Sequence, residues 1–254
     1  MGRFFSRPRR YFSVHPADRP ELLTHAVRCE FLAGVRLAFL SDIHANRRFP
    51  DDRLEGLFAR VDALSPDAVL IGGDLAEDEA SLRRLLRALE IVRPRLGVFC
   101  CMGNNDSELP GFSSIAGERM RVLVNESAAL NLSGGRLVVG GVDDRKHGHP
   151  SARGLFPAGE GAFRVLLSHY PVAPDYAGTP KADLQFSGHT HGGQFNVLGV
   201  TPFSALFECR SHRWISGECA IDGVRTIVSN GIGASRLPLR VGVPPQLHLV
   251  VLCE

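Results

Sequence analysis

Short apolar runs recur through the first half of the chain, and each breaks on a small residue followed by a polar one. The run at 35–40 gives way to Ser41-Asp42, that at 67–71 to Gly72-Gly73-Asp74, and that at 96–101 to Gly103-Asn104. Runs of this length that are apolar nearly throughout predict buried strands. The intervening segments have a helical period instead. Pro50-Asp51-Asp52 offers a helix start, with Leu54, Leu57, Phe58 and Val61 on one face, and a second amphipathic helix is predicted over 79–92 with Arg83, Arg84 and Arg87 on its wet side. Strand, helix, strand in sequence is an α/β pattern, and its polar residues gather beyond the strand ends.

After Arg121 the texture changes. Strands are predicted at 122–126, 129–132 and 136–142 around the hairpin signal Ser133-Gly134-Gly135, then at 163–167 and 182–186, which end on Ser168-His169 and Ser187-Gly188-His189. Two more, at 214–221 and 224–228, flank Asp222-Gly223, and a last strand lies near 247–252. This half predicts a mainly antiparallel or mixed sheet, so the whole predicts two packed sheets with outer helices. Residues 1–30 are weakly patterned and rich in Arg, Pro and His; they form an amino-terminal extension with at most one edge strand. Residues 31–254 are taken as one domain, because the polar residues at the strand ends run from 42 to 191 and a site using them all needs a single body.

Charge changes the picture little. The 29 Lys+Arg against 27 Asp+Glu leave a formal charge of +2, which excludes a strong global field for nucleic acid or membrane but not a local basic patch. One such patch, around Arg9-Arg10, is a candidate for peripheral membrane contact, with a solvated tail as the plainer reading. No apolar run reaches the length of a secretory signal or a membrane span. The six cysteines, at 29, 100, 101, 209, 219 and 253, contain no Cys-x-x-Cys and sit partly in apolar runs, as expected of reduced thiols in a cytoplasmic protein.

The densest chemistry lies in Gly188-His189-Thr190-His191-Gly192-Gly193-Gln194, two histidines at i and i+2 among glycines that let backbone approach an ion. Four more segments carry ligand-type residues in order: Asp42-Ile43-His44, Gly73-Asp74, Gly103-Asn104-Asn105-Asp106 and Ser168-His169-Tyr170-Pro171. This ordered set resembles the calcineurin-like metallophosphoesterase superfamily, and the segments at 188–194, 229–240 and 243–245 resemble a bacterial branch of it. The resemblance implies a four-layer αββα sandwich of two mixed β-sheets flanked by helices. It also implies a dinuclear site in which Asp42, His44 and His191 hold one ion, Asn104, His169 and His189 the other, and Asp74 bridges them. Mixed imidazole, carboxylate and amide ligands suit manganese first, with iron or zinc as alternatives.

The activity so implied is hydrolysis of a phosphodiester or diphosphate by a metal-bridging hydroxide, with Asp74, Asn104 and Asn105 as the catalytic positions. Arg47 and Arg48 are candidates for contact with substrate oxygens, against the default of a solvated loop. Two rivals stand beside that reading: a UDP-2,3-diacylglucosamine diphosphatase of lipid A synthesis, and a binding module without turnover. One departure favours good leaving groups. The superfamily usually has a histidine where this chain has Asn105, and an amide cannot donate a proton as an acid does. Asp106 is expected to orient its loop; for His147 and His149 surface or hydrogen-bonded roles are the default, with their polar loop a candidate border of the site.

Overall fold

The computed structural model describes residues 19–196, 201, 214–235, 237 and 239–254. Two six-stranded mixed sheets pack face to face, as the sequence pattern predicts. The first has the order β1 (Glu21–Arg28), β12 (Gln246–Cys253), β2 (Arg36–Leu40), β3 (Ala68–Ile71), β4 (Val98–Cys101), β5 (Arg121–Leu123). Strands β2 to β5 are mutually parallel, β12 runs antiparallel to β2, and β1 is the edge, parallel to β12. The second has the order β10 (Gly217–Ile221), β11 (Val224–Val228), β9 (Leu184–Ser187), β8 (Ala162–Leu167), β7 (Gly135–Gly141), β6 (Glu126–Leu132). Its centre is parallel and its two edge strands pair antiparallel.

Alternation along β2 explains why it is apolar from Leu37 to Leu40. Leu37 and Phe39 point into the layer between the sheets, with Val139, Val165 and Phe186 of the second sheet, and the rings of Phe39 and Phe186 lie 4.6 Å apart. Ala38 and Leu40 face the other way, onto the helices α1 (Asp51–Asp62) and α2 (Glu79–Leu89) through Leu54, Phe58, Leu82 and Leu85. With both faces covered from Leu37 to Leu40, those four positions are apolar, and removing the fully buried Phe39 ring should destabilise by about 3–5 kcal/mol. Helix α2 starts where Asp78 accepts a hydrogen bond from Ser81 N at 2.8 Å. It stops at Leu89, short of the predicted 92, because the residue before Pro94 is pushed out of helical geometry.

Two short helices, α3 (Asn104–Glu108) and α4 (Phe112–Ala116), have no counterpart in the sequence reading. The outer face of the second sheet is covered by loop segments, where Leu155, Phe156, Tyr176 and Ala182 pack on Val138 and Leu166. Among the described residues Cys29, Cys100, Cys101, Cys219 and Cys253 are free, and no helix is long and apolar enough to cross a membrane. The basic stretch around Arg9-Arg10 lies outside the described residues.

Candidate metal centre

The carboxyl ends of β2, β3 and β4 in one sheet and of β8 and β9 in the other meet at one edge of the sandwich. Each delivers a polar side chain there: Asp42 and His44, Asp74, Asn104 at the first turn of α3, His169, and finally His189 and His191. The two leading loops are laced together by Asp42 N donating to Gly73 O at 2.9 Å and His44 N to Asp74 O at 3.1 Å. Five of the seven side chains hang from left-handed backbone: φ is 51° at Asp42, 47° at His44, 55° at Asp74, 66° at His189 and 50° at His191. Such angles are costly for residues with a Cβ, and they aim side chains from tight turns at a common point. Glycine makes the closeness feasible. A Cβ on Gly188 would lie 2.2 Å from Asp42 Oδ2, and one on Gly103 2.2 Å from Asp74 Oδ1.

The side chains fall into two overlapping groups. In one, His44 Nε2 and His191 Nε2 face each other at 3.1 Å, with Asp42 Oδ1 3.6 Å from His191 Nε2. In the other, His189 Nδ1 lies 3.1 Å from Asn104 Oδ1 and 3.3 Å from His169 Nε2. Asp74 stands between them, its Oδ2 3.5 Å from both His44 Nε2 and His169 Nε2. Asp42 also reaches the second group, at 4.0 Å from His169 Nε2. All but Asn104 are buried, and Asn104 is half-buried.

Outer partners fix the ring orientations. His169 Nδ1 donates to Gly72 O at 2.7 Å, leaving Nε2 for the centre, and His44 Nδ1 meets Glu77 Oε1 at 2.6 Å. Behind His191 stands Arg240, a fully buried guanidinium. Its Nη2 lies 3.1 Å from His191 Nδ1, and it donates to the carbonyls of Asn230, Gly233 and His191. The Asp106 carboxylate accepts from the backbone N–H of Asp74, Leu75 and Gly103 at 2.6, 2.9 and 2.9 Å, so it orders the loops that carry Asp74 and Asn104. Asn105 is held on three sides: its N–H donates to Asp74 Oδ1 at 2.9 Å, its Oδ1 accepts from Asn104 at 2.9 Å, and its Nδ2 donates to Glu77 at 3.2 Å.

Burial and mutual attraction pull the titrations apart. Burial works against a charged His169, yet the Asp74 and Asp42 carboxylates overcome it and lift the ring up to about 10. His44 is likewise raised, burial being outweighed by Glu77, Asp74 and Asp42. His191 is held well below its ordinary value by burial, by His44 and by Arg240. Burial would raise Asp74, but His169 and His44 keep it well below the usual carboxylate range, whereas burial lifts Asp42 and, with repulsion from Asp74, pushes Asp106 up to about 7.

Arg47 and Arg48 are exposed on the loop after His44 and make no side-chain hydrogen bond to the cluster. His147 leaves the centre for Glu108, at 3.0 Å, and His149 serves its own loop by donating its backbone N–H to Asp143. Gln194, the end of the Gly-Gly-Gln run, is a brace: its Nε2 donates to the carbonyls of Ser235, Leu237 and Leu239 and its Oε1 accepts from Ser235 N. Sequence reasoning gives Glu77, Tyr170 and Arg240 no role at the centre, although Tyr170 and Arg240 lie in segments that it marks. Tyr170 directly follows His169 and lays its ring on His189 with centroids 3.8 Å apart, and Glu77 is three residues past Asp74, so proximity to a ligand block was the available signal. Arg240 is 49 residues from His191, and its only signal was membership of the 229–240 segment.

Facing imidazole nitrogens, two buried carboxylates and an amide oxygen are donors in excess of the protons they can share. That donor set fits divalent cations, and two triads have their ligand atoms within 4.8 Å of one another: Asp42, His44 and His191, and Asp42, Asp74 and His169. A family model described as calcineurin-like phosphoesterase matches residues 35–193. Among relatives, an uncharacterized protein of Bacillus subtilis, YpbG, is 28% identical over 241 residues, covering 91% of this chain and 87% of that protein. Phosphodiesterase YaeI of Escherichia coli is 27% identical over 236 residues, covering 87% and 83%. A transmembrane protein with metallophosphoesterase domain from Danio rerio is 28% identical over 265 residues, covering 95% of this chain but only 59% of the relative.

Proposed function

Because the chain belongs to the calcineurin-like phosphoesterase family, we propose that it is a metal-dependent hydrolase of phosphodiester or diphosphate bonds. One observation carries the reading: the buried convergence of Asp42, His44, Asp74, His169, His189 and His191, with Asn104 beside them, at the carboxyl edge of both sheets. In it Asp42, His44 and His191 hold one divalent cation, Asn104, His169 and His189 a second, and Asp74 is shared. Manganese suits this set, and iron or zinc are compatible with it. Cations bound there would supply Lewis acidity, lowering the pKa of water and offsetting charge on phosphoryl oxygens.

The chain's own residues narrow the substrate. Asn105, pinned among Asp74, Asn104 and Glu77, offers an amide N–H that can hydrogen-bond a departing oxygen but cannot protonate it. A leaving group must therefore depart as an anion, which favours diphosphates and activated diesters over alkyl phosphomonoesters. The Gly188–Gln194 motif and the likeness to a protein named phosphodiesterase support the diester branch. Arg47 and Arg48, without side-chain bonds to the cluster, are available to substrate oxygens, and the free cysteines suit a cytoplasmic setting.

Purified protein loaded with manganese, assayed on bis-p-nitrophenyl phosphate and a nucleoside diphosphate sugar alongside metal analysis, tests the proposal. Hydrolysis with two metals per chain is expected. Two bound metals without turnover of any ester would make this a binding module, and turnover confined to the lipid-linked UDP-diacylglucosamine in detergent would make it the lipid diphosphatase.

A further inference from the structure

A cavity of about 320 Å3 opens beside the candidate metal centre, between the loop after β7 and the loop after β8. It shares a wall with the centre. Tyr170 lines the cavity, while the same ring lies on His189 and its hydroxyl donates toward Asn104 Oδ1 at 3.5 Å. Ser168, on the other flank of His169, lines it as well. Pro150, Val172 and Pro174 make the remaining wall largely apolar.

Three charged side chains border this space, and two are occupied. Asp143 accepts the N–H of Asp144 at 2.8 Å and of His149 at 2.9 Å. Asp175 is bound by Arg153 through Nε at 2.7 Å and Nη2 at 2.6 Å, and by Ala177 N at 2.9 Å. The third, Arg145, is exposed at the rim and makes no hydrogen bond or ion pair among the described residues. The cavity thus combines an apolar body, an aromatic wall that also touches the ligands, and one unspent guanidinium.

We infer that this cavity is the subsite for the substituent of the phosphoester that carries a second anion: an organic group with an apolar or planar body, nucleoside-sized or smaller, ending in a phosphate or carboxylate held by Arg145. The volume is at the small end of ligand pockets, and apolar walls with one or two placed polar groups are how such pockets select. A guanidinium presents a planar fork that matches phosphate or carboxylate in two parallel hydrogen bonds. The inference rests on the phosphoesterase reading, since it assigns the cavity to that reaction's substrate. It adds what the metal centre alone does not give: a preference among esters with the same reacting phosphorus.

Two chromogenic esters isolate the distal group: thymidine 5′-(p-nitrophenyl phosphate), and the same ester with an added 3′-phosphate. Wild-type protein with manganese should favour the 3′-phosphorylated ester in kcat/KM by about 10- to 100-fold, the worth of a charge-assisted hydrogen bond. In Arg145→Ala that preference should collapse to about threefold or less, and Val172→Trp, which fills the cavity, should reduce it by a separate route. A wild type without the preference, or an Arg145→Ala that keeps it, overturns the inference. If wild type cleaves neither ester nor bis-p-nitrophenyl phosphate, the phosphoesterase reading fails instead, and calorimetric binding of thymidine 3′,5′-bisphosphate still decides the cavity. Affinity about 10-fold or more weaker in Arg145→Ala supports the subsite; equal affinity refutes it.

Discussion

Lowering the pH from 7.5 to 5.0 should destabilise the protein through one histidine outside the candidate centre. His248, on β12, is fully buried between Phe39 and His25; its Nδ1 lies 3.1 Å from His25 Nε2, while its Nε2 has no hydrogen-bond partner. Burial, with His25 adding repulsion, holds its pKa down to about 3 against an ordinary 6.5. Below pH 6.5 the unfolded chain takes up a proton that the folded chain refuses, so stability is intact above that value and falls as pH drops toward 3. At about 1.4 kcal/mol per unit, the loss by pH 5 is roughly 2 kcal/mol. Urea unfolding of wild type and His248→Leu, each at pH 7.5 and 5.0 in chelator, isolates the term, because contributions from the metal centre cancel between the two proteins. Leucine also removes a buried orphan nitrogen, so at pH 7.5 the variant should be about as stable as wild type. If the pH-induced loss differs between the two proteins by less than about 0.5 kcal/mol, or if acid stabilises wild type relative to the variant, the reasoning is wrong.

Gly188→Ala forces a methyl to within 2.2 Å of Asp42 Oδ2, so metal affinity should drop at least about 10-fold; isothermal titration with manganese measures it. Glu77→Gln keeps shape but weakens the hold on His44 Nδ1, and should lower metal affinity about 10- to 100-fold while leaving the far-ultraviolet dichroism unchanged. Asp106→Ala strands three buried backbone donors and should destabilise metal-free protein by about 3 kcal/mol or more in urea. Asn105→His restores a proton donor, and should raise turnover of alkyl phosphomonoesters about 10-fold or more over any gain on diphosphates, as read by phosphate release.

What could be read from the sequence was what the chain encodes locally. Strands β2, β3 and β4 announce themselves because both faces are buried, and a polar side chain follows within three residues of each because that is where the sheet ends. Helices α1 and α2 are long enough to display a period, whereas α3 and α4, at five residues each, are too short to show one. Pairing of β1 with β12 joins Glu21 to Gln246, a partnership across nearly the whole chain that no local pattern records. The same limit hid the outer supports of the centre: Arg240 reaches His191 through a fold-level contact, and Glu77 reads as an ordinary loop acid until α3 brings Asn105 against it.

Five ligand-type residues in left-handed backbone put this fold under a particular evolutionary tension. Each such angle opposes folding by about 1 kcal/mol relative to glycine, so the centre is a standing load carried by the packed sheets. A copy of the sequence freed from selection for activity would shed part of that load by trading His44, His189 or His191 for glycine, whereas Asp42 and Asp74 also accept the backbone N–H of His189 and Asn105. Degenerate descendants should therefore be sturdy proteins that have lost these positions first.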